Sequence, residues 1–282
     1  MRLDRVAAAP ISWGVCEVPG WGHQLTPERV LDEMTGLGLA ATEFGPDGFL
    51  PGPLLAARGM TAVGGFVPVV LHDPDTDPLA EVRAALAGFT AAGAGTLVLA
   101  AATGRDGYDA RPELDALGWK TLLANLDRVA SLASGAGITA ALHPHVGTMV
   151  ESQDDVERVL EGSWTGLCLD TGHLLVGGTD PVALARRAAG RVAHVHLKDV
   201  DEEAAAAVRD GRTTYTEAVS AGMYRPLGQG DIDIAALIGT LEDAGYEGWY
   251  VMEQDAVLAG EPPPGGGPVL DVRASLDWLA AL

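Results

Sequence analysis

The stretch Ala92-Gly-Ala-Gly-Thr-Leu-Val-Leu99 is one unit of a pattern that decides the fold. An apolar helical run stops at glycines, which accept the left-handed backbone that closes helices, and a β-rich run begins at once. The same junction stands at Gly36-Leu-Gly38 before 39–44, at Ala57-Arg-Gly59 before 61–63, and at Ser134-Gly-Ala-Gly137 before 138–142. It returns before Gly166-Leu-Cys-Leu169, at Gly190 before 192–195 and at Gly245 before 248–251. With the opening run 6–13 this predicts eight strands. Thr26-Pro27, Asp77-Pro78 and Asp180-Pro181 each predict a helix start, with a capping oxygen ahead of a proline suited to the first turn.

Strands alternating with helices imply βαβ units and a parallel sheet. Eight of them in 282 residues predict an α/β fold, a single (β/α)8 barrel over residues 1–282. A doubly wound open sheet is the runner-up, but no GxGxxG follows the first strand and no composition break marks a second domain. Residues 199–230, which include the run Ala204 to Ala207, show no clear strand. A connection of that length predicts a partly helical, lid-like insertion over the site.

The net charge of −21 argues against a nucleic-acid or anionic-membrane partner, since both select basic surfaces. Cys16 and Cys168 form no CxxC pair, so neither a disulfide framework nor a cysteine zinc site is indicated, and a reducing compartment is expected. The uncharged stretch 84–104 approaches the length of a membrane span, but four glycines break it, and residues 1–12 lack a signal-peptide pattern. A cytoplasmic protein is expected; a homo-oligomeric state is left open.

In such a barrel the active site forms at the C-terminal ends of the strands. Of seven histidines, only His23 lies away from such an end. His72 follows the third strand, His143 and His145 the fifth, and His173 the sixth, while His194 and His196 lie on the seventh. The second, sixth and eighth strands end in Glu43, Asp170 and Glu253. Residues two apart share a strand face, so His194, His196 and Lys198 align, with His196 near the rim. His143, Asp170, His196 and Glu253 then come together at similar height. Two imidazoles and two carboxylates suit Mn²⁺, Co²⁺ or Zn²⁺, and the mixed donors disfavour Ca²⁺. His145 is the alternative to His143 as the ligand of the fifth strand. His194 reads equally well as a group that orients a ligand. His72 reads either as substrate-facing or as rim.

The chain resembles the xylose isomerase-like (β/α)8 barrels, the sugar phosphate isomerases and epimerases. The resemblance runs from Pro10-Ile-Ser-Trp13 through Thr42-Glu-Phe-Gly-Pro46 to Gly245-Tyr-Glu-Gly-Trp249. Its more specific stretches are His143-Pro-His-Val-Gly-Thr-Met-Val-Glu151, Leu169-Asp-Thr-Gly-His173, His194-Val-His-Leu-Lys-Asp199, Gly228-Gln-Gly-Asp-Ile-Asp233 and Val251-Met-Glu-Gln-Asp255. Within the family the set looks most like the branch that dehydrates a keto-inositol. The resemblance implies a Mn²⁺ or Co²⁺ ion on His143, Asp170, His196 and Glu253. It also implies substrate contacts from His173, Arg225, Trp13 and Glu43. Many ketose epimerases carry a glutamate on the fifth strand, and this chain departs from them at His143.

Three functions follow as expectations. The first is a metal-dependent lyase acting on a keto-polyol, with Glu253 as base and Lys198, His173 or His145 protonating the leaving hydroxyl. The second is an isomerase or epimerase acting on a free or phosphorylated sugar. A phosphate would need a cradle, for which only Arg225 and the loop from Gly228 to Gly230 offer themselves. The third, a DNA-repair endonuclease on the same barrel, is opposed by the charge.

Overall fold

In a computed structural model, which describes residues 3–282, eight parallel strands close into a barrel. They are β1 (Val6–Ala8), β2 (Ala41–Glu43), β3 (Thr61–Val69), β4 (Thr96–Ala101), β5 (Thr139–Leu142), β6 (Gly166–Asp170), β7 (Val192–Leu197) and the last barrel strand, β10 (Tyr250–Met252). The ring runs β1-β10-β7-β6-β5-β4-β3-β2, the order of a (β/α)8 barrel. Eleven helices connect or flank the strands: α1 (Pro27–Gly36), α2 (Gly52–Ala56), α3 (Leu79–Ala92), α4 (Ala116–Gly135), α5 (Gln153–Gly162), α6 (Thr171–Val176), α7 (Pro181–Ala188), α8 (Glu202–Arg209), α9 (Tyr215–Ser220), α10 (Ile234–Asp243) and α11 (Pro268–Ala281). Two short strands, β8 (Asp199–Val200) and β9 (Tyr224–Arg225), pair antiparallel outside the barrel.

Several boundaries differ from expectation for identifiable reasons. The first strand stops at Ala8, and Pro10–Trp13 is a 3₁₀ turn, because proline fixes φ and supplies no ladder donor. The third strand runs on to Val69 instead of ending at 63. Gly64 and Gly65 disguised it. A Cβ on Gly64 would lie 2.7 Å from the Thr96 carbonyl oxygen, so the glycine that reads as a breaker is what lets β3 approach β4. Thr26 and Asp180 cap their helices through side-chain oxygens, whereas α3 begins at Leu79 after Pro78, and Asp77 Oδ1 accepts the Leu79 N–H only at 3.4 Å while also pairing with Arg128. Segment 199–230, read as strandless, carries β8 and β9 around α8 and α9.

The stretch 84–104 divides into the end of α3, a left-handed Gly93 and β4. Among the described residues no helix is long and apolar enough to cross a membrane. Outward-facing strand residues such as Leu97 and Leu99 pack beneath the helices in one continuous core with Leu122, Leu126 and Val129 of α4. The barrel interior divides differently. Its β1–β4 side carries small apolar groups, Ala7, Ala9, Ala41 and Val63, and its β5–β10 side carries charge.

Candidate active site and metal centre

Register places the charged side chains. Asp170, the last residue of β6, pairs with His196 of β7, and His196 pairs with Val251 of β10, so the three strand ends stand level. Asp170 does two jobs. Its Oδ1 caps α6 by accepting the His173 backbone N–H at 2.8 Å, which turns Oδ2 toward the barrel axis. There Oδ2 lies 3.1 Å from His143 Nε2, and 3.5 Å from both His196 Nδ1 and Lys198 Nζ. Glu253 Oε2 lies 3.2 Å from His196 Nδ1 and 3.1 Å from Lys198 Nζ. Donor atoms of Asp170, His196 and Glu253 all fall within 4.8 Å of one another.

Beneath this layer, Glu43 Oε1 accepts from His194 Nε2 at 2.8 Å and from His196 Nε2 at 2.9 Å. That bond fixes the orientation of the His196 ring and leaves its Nδ1 facing the two carboxylates with no hydrogen-bond partner. A fully buried imidazole nitrogen that faces two carboxylate oxygens at 3.2 and 3.5 Å without making a hydrogen bond fits a divalent cation. The nitrogen and oxygen donors are those of Mn²⁺, Co²⁺ or Zn²⁺.

Lys198 is buried among Asp170, Glu253 and Asp255, and its Nζ lies 2.6 Å from Asp255 Oδ1 and 2.9 Å from His173 Nε2. Gly172 makes room for it, since a Cβ there would lie 2.7 Å from both Lys198 Cβ and Tyr224 Cε1. Burial opposes its charge, but the three carboxylates outweigh burial and hold the ammonium well above its ordinary pKa. Burial would likewise raise Asp170, yet Lys198 and the surrounding imidazoles hold it well below the carboxylate range. His145 and His173 go the other way: burial, reinforced by neighbouring cationic groups, keeps both imidazoles neutral.

The cavity above these groups is lined by Glu43, His143, His145, His196, Lys198 and Glu253. Of the residues expected to meet substrate, Glu43 reaches it, although its Oε1 is occupied by two histidines. Trp13 does not: the 3₁₀ turn carries its indole into the core, where Nε1–H donates to Glu33 Oε2 at 2.9 Å. His72 lies outside the cavity lining, half-buried beside Asp73. Arg225 is exposed and paired with Asp201 at 3.2 Å. His173 sits behind Lys198 and does not line the cavity.

The loop at Gly228 and Gly230 does form a cradle of amides, but Asp199 Oδ2 fills it, accepting the two N–H groups at 2.8 and 2.9 Å. No phosphate site remains there. Asp255, Tyr108 and Trp21 line the cavity without having been expected. Tyr215, from α9, donates to Asp255 Oδ2 at 2.6 Å. Asp255 was within reach, two residues beyond Glu253 and so on its face; the aromatic groups arrive on loops without periodicity. A larger cleft of about 970 Å³ between α3 and β2–β3 is mostly apolar and brings no imidazole or lysine together with its carboxylates.

The fold and this cluster together define a class. The family model described as a xylose isomerase-like TIM barrel matches residues 55–282, and the chain belongs to that family. Within it, the chain is 32% identical over 274 residues to an inosose dehydratase of Geobacillus kaustophilus, covering 90% of this chain and 89% of that one. It is 34% identical over 268 residues to the rhizopine catabolism protein MocC of Rhizobium meliloti, with 89% and 81% covered. Among solved structures, the IOLI protein with a binding zinc atom superposes with a TM-score of 0.69 at 13% identity, over 98% of this chain and 97% of that one.

Proposed function

We propose that this chain is a metal-dependent lyase that removes water from a keto-inositol. The observation that carries the reading is the buried trio of Asp170, His196 and Glu253, with His196 Nδ1 turned toward both carboxylates, in a chain about one-third identical to an inosose dehydratase along nearly its whole length. Asp170, His196 and Glu253 would hold the divalent ion, with His143 beside Asp170 as the fourth group; Mn²⁺ or Co²⁺ is the ion we favour. When bound, such an ion polarises a substrate carbonyl and stabilises the negative charge that develops as the neighbouring C–H is broken.

The protein supplies the proton transfers. Glu253, held ionised by His196 and Lys198 against the cost of burial, takes the proton from the carbon next to the carbonyl. Lys198 gives a proton to the β-hydroxyl as its C–O bond breaks, and water leaves. With Lys198 Nζ 3.1 Å from Glu253 Oε2, the abstracted proton can return to the amine and close the cycle. His145, neutral and lining the cavity, orients substrate hydroxyls, while His173 steadies Lys198 from behind. The enzyme would work in the cytoplasm, and on a free polyol, because the Gly228 and Gly230 amides that could have cradled a phosphate are already filled by Asp199.

NMR in D₂O of metal-loaded protein with a panel of keto-inositols and ketohexoses tests this. Loss of water from a keto-inositol supports the lyase. Deuterium entering a sugar of unchanged formula replaces the lyase with an isomerase or epimerase, the second reading; His143 in place of a glutamate weakens the two-carboxylate exchange of an epimerase.

A further inference from the structure

We propose that the barrel contains a second, deeper metal position formed by His143, Cys168 and His196, which takes soft divalent ions such as Zn²⁺ or Cd²⁺ and excludes the catalytic ion. The proposal rests on the metal-dependent reading above.

Cys168 lies on β6 two residues before Asp170, so its thiol projects to the same interior face one layer down, where it packs with Val98 and Ala141. It is fully buried, and its sulfur lies within 4.8 Å of a ring nitrogen of both His143 and His196. Both rings are buried; His143 Nδ1 has no hydrogen-bond partner, and His196 Nδ1 makes no hydrogen bond but faces Glu253 Oε2 at 3.2 Å. The cluster beside it, Glu43 with His194 and His196, differs in that its close atoms are already spent on one another at 2.8 and 2.9 Å.

The donors separate the two positions. Two imidazoles and a thiolate are a zinc-type set, whereas carboxylate-rich sites suit Mn²⁺. His196 belongs to both, so one ion excludes the other. An ion in the deeper position draws His196 away from Asp170 and Glu253 and leaves a metal-loaded but inactive enzyme. On binding, the Cys168 S–H proton passes to solvent and a sulfur–metal bond forms, with no change in oxidation state.

X-ray absorption of the zinc-loaded wild-type protein should show a sulfur neighbour at about 2.3 Å. A shell of nitrogen and oxygen alone overturns the proposal. Titration with Cd²⁺ should give an ultraviolet thiolate-to-cadmium band that survives Cys16→Ser, the other cysteine, and is lost in Cys168→Ala. A band lost with Cys16 instead overturns the assignment. If Cys168→Ala does not fold, the zinc absorption measurement and Cys16→Ser decide the matter. Failure of the upper site reads differently: Glu253→Gln would then retain Mn²⁺ as well as the wild type does, whatever the zinc spectrum shows.

Discussion

The two halves of the barrel are built from the same strands and helices but do opposite work. Strands β1–β4 line the interior with alanine and valine, and their one buried charge is Glu43. Strands β5, β6, β7 and β10 bring in His143, Asp170, His194, His196 and Glu253, followed at once by Lys198 and Asp255, all buried. Charges at such depth survive because each meets an opposite charge or a donor within about 4 Å, the range in which pairing offsets lost hydration. Glu43, the buried charge of the quiet half, reaches across the barrel interior to hold two imidazoles of the active one. The interior lining is thus divided by strand, while the outward faces of both halves, Leu97 and Leu99 on one side and Leu169 and Leu197 on the other, share one core. The inner and outer faces can be tested one at a time.

The sharpest break falls on the charged half. Glu253→Gln keeps the shape but removes both the base and a ligand, so kcat should fall by about 10²–10⁴-fold. Metal content measured on the purified variant should fall with it. Full metal content with near-normal turnover would remove Glu253 from both roles. The converse change, Leu97→Ala on β4, should cost about 2–5 kcal/mol of stability, read from denaturant unfolding, because it opens a cavity in a core residue that is fully buried. Turnover per folded molecule should not change. A loss of activity without a loss of stability would show that the two faces are not separate.

Glu43 tests the link between the two halves. Glu43→Gln weakens the bonds that orient His196 and should lower metal affinity about 10–100-fold, as expected when a group that orients a ligand is lost. Equilibrium titration with Mn²⁺ reads this without reference to turnover. Unchanged affinity would mean that the strands alone position the ring.

Much of this arrangement could be read from the chain because strands impose a two-residue period. His194, His196 and Lys198 share a face on any straight strand, and the ends of β6 and β10 follow from apolar runs that stop at an acid. What could not be read depends on contacts between distant segments. The family resemblance implied a substrate contact from Trp13, at the end of an opening run read as one strand, yet the chain turns at Pro10 and the indole finds Glu33 on α1. Gly228-Gln-Gly230 is legible as an anion cradle, but that Asp199 is the anion is a tertiary fact. Tyr215 reaches Asp255 across 40 residues, a distance over which no period carries information. The second half of the third strand was hidden because glycine has two uses, breaking a strand and letting two strands approach closely.

A polar cluster in the charged half that does no chemistry makes the finest test. Asp155 sits in the first turn of α5, where it forms a reciprocal cap with Ser152 and pairs with Arg111 Nη1 at 2.6 Å. Burial would raise its pKa, but the Ser152 backbone and hydroxyl donors and the Arg111 guanidinium outweigh that and hold it below the ordinary carboxylate value. A group depressed on folding adds stability that is present above the unfolded pKa and lost as pH falls through the folded one. Asp155→Asn should therefore cost about 0.5–2 kcal/mol at neutral pH, the usual worth of a helix cap. The difference from the wild type should shrink as the pH drops below the carboxylate range, with kcat unchanged throughout. Thermal unfolding of both proteins across that range checks it. A gap that stays constant with pH would assign the loss to packing, and a fall in kcat would extend the catalytic half of the barrel outward to α5.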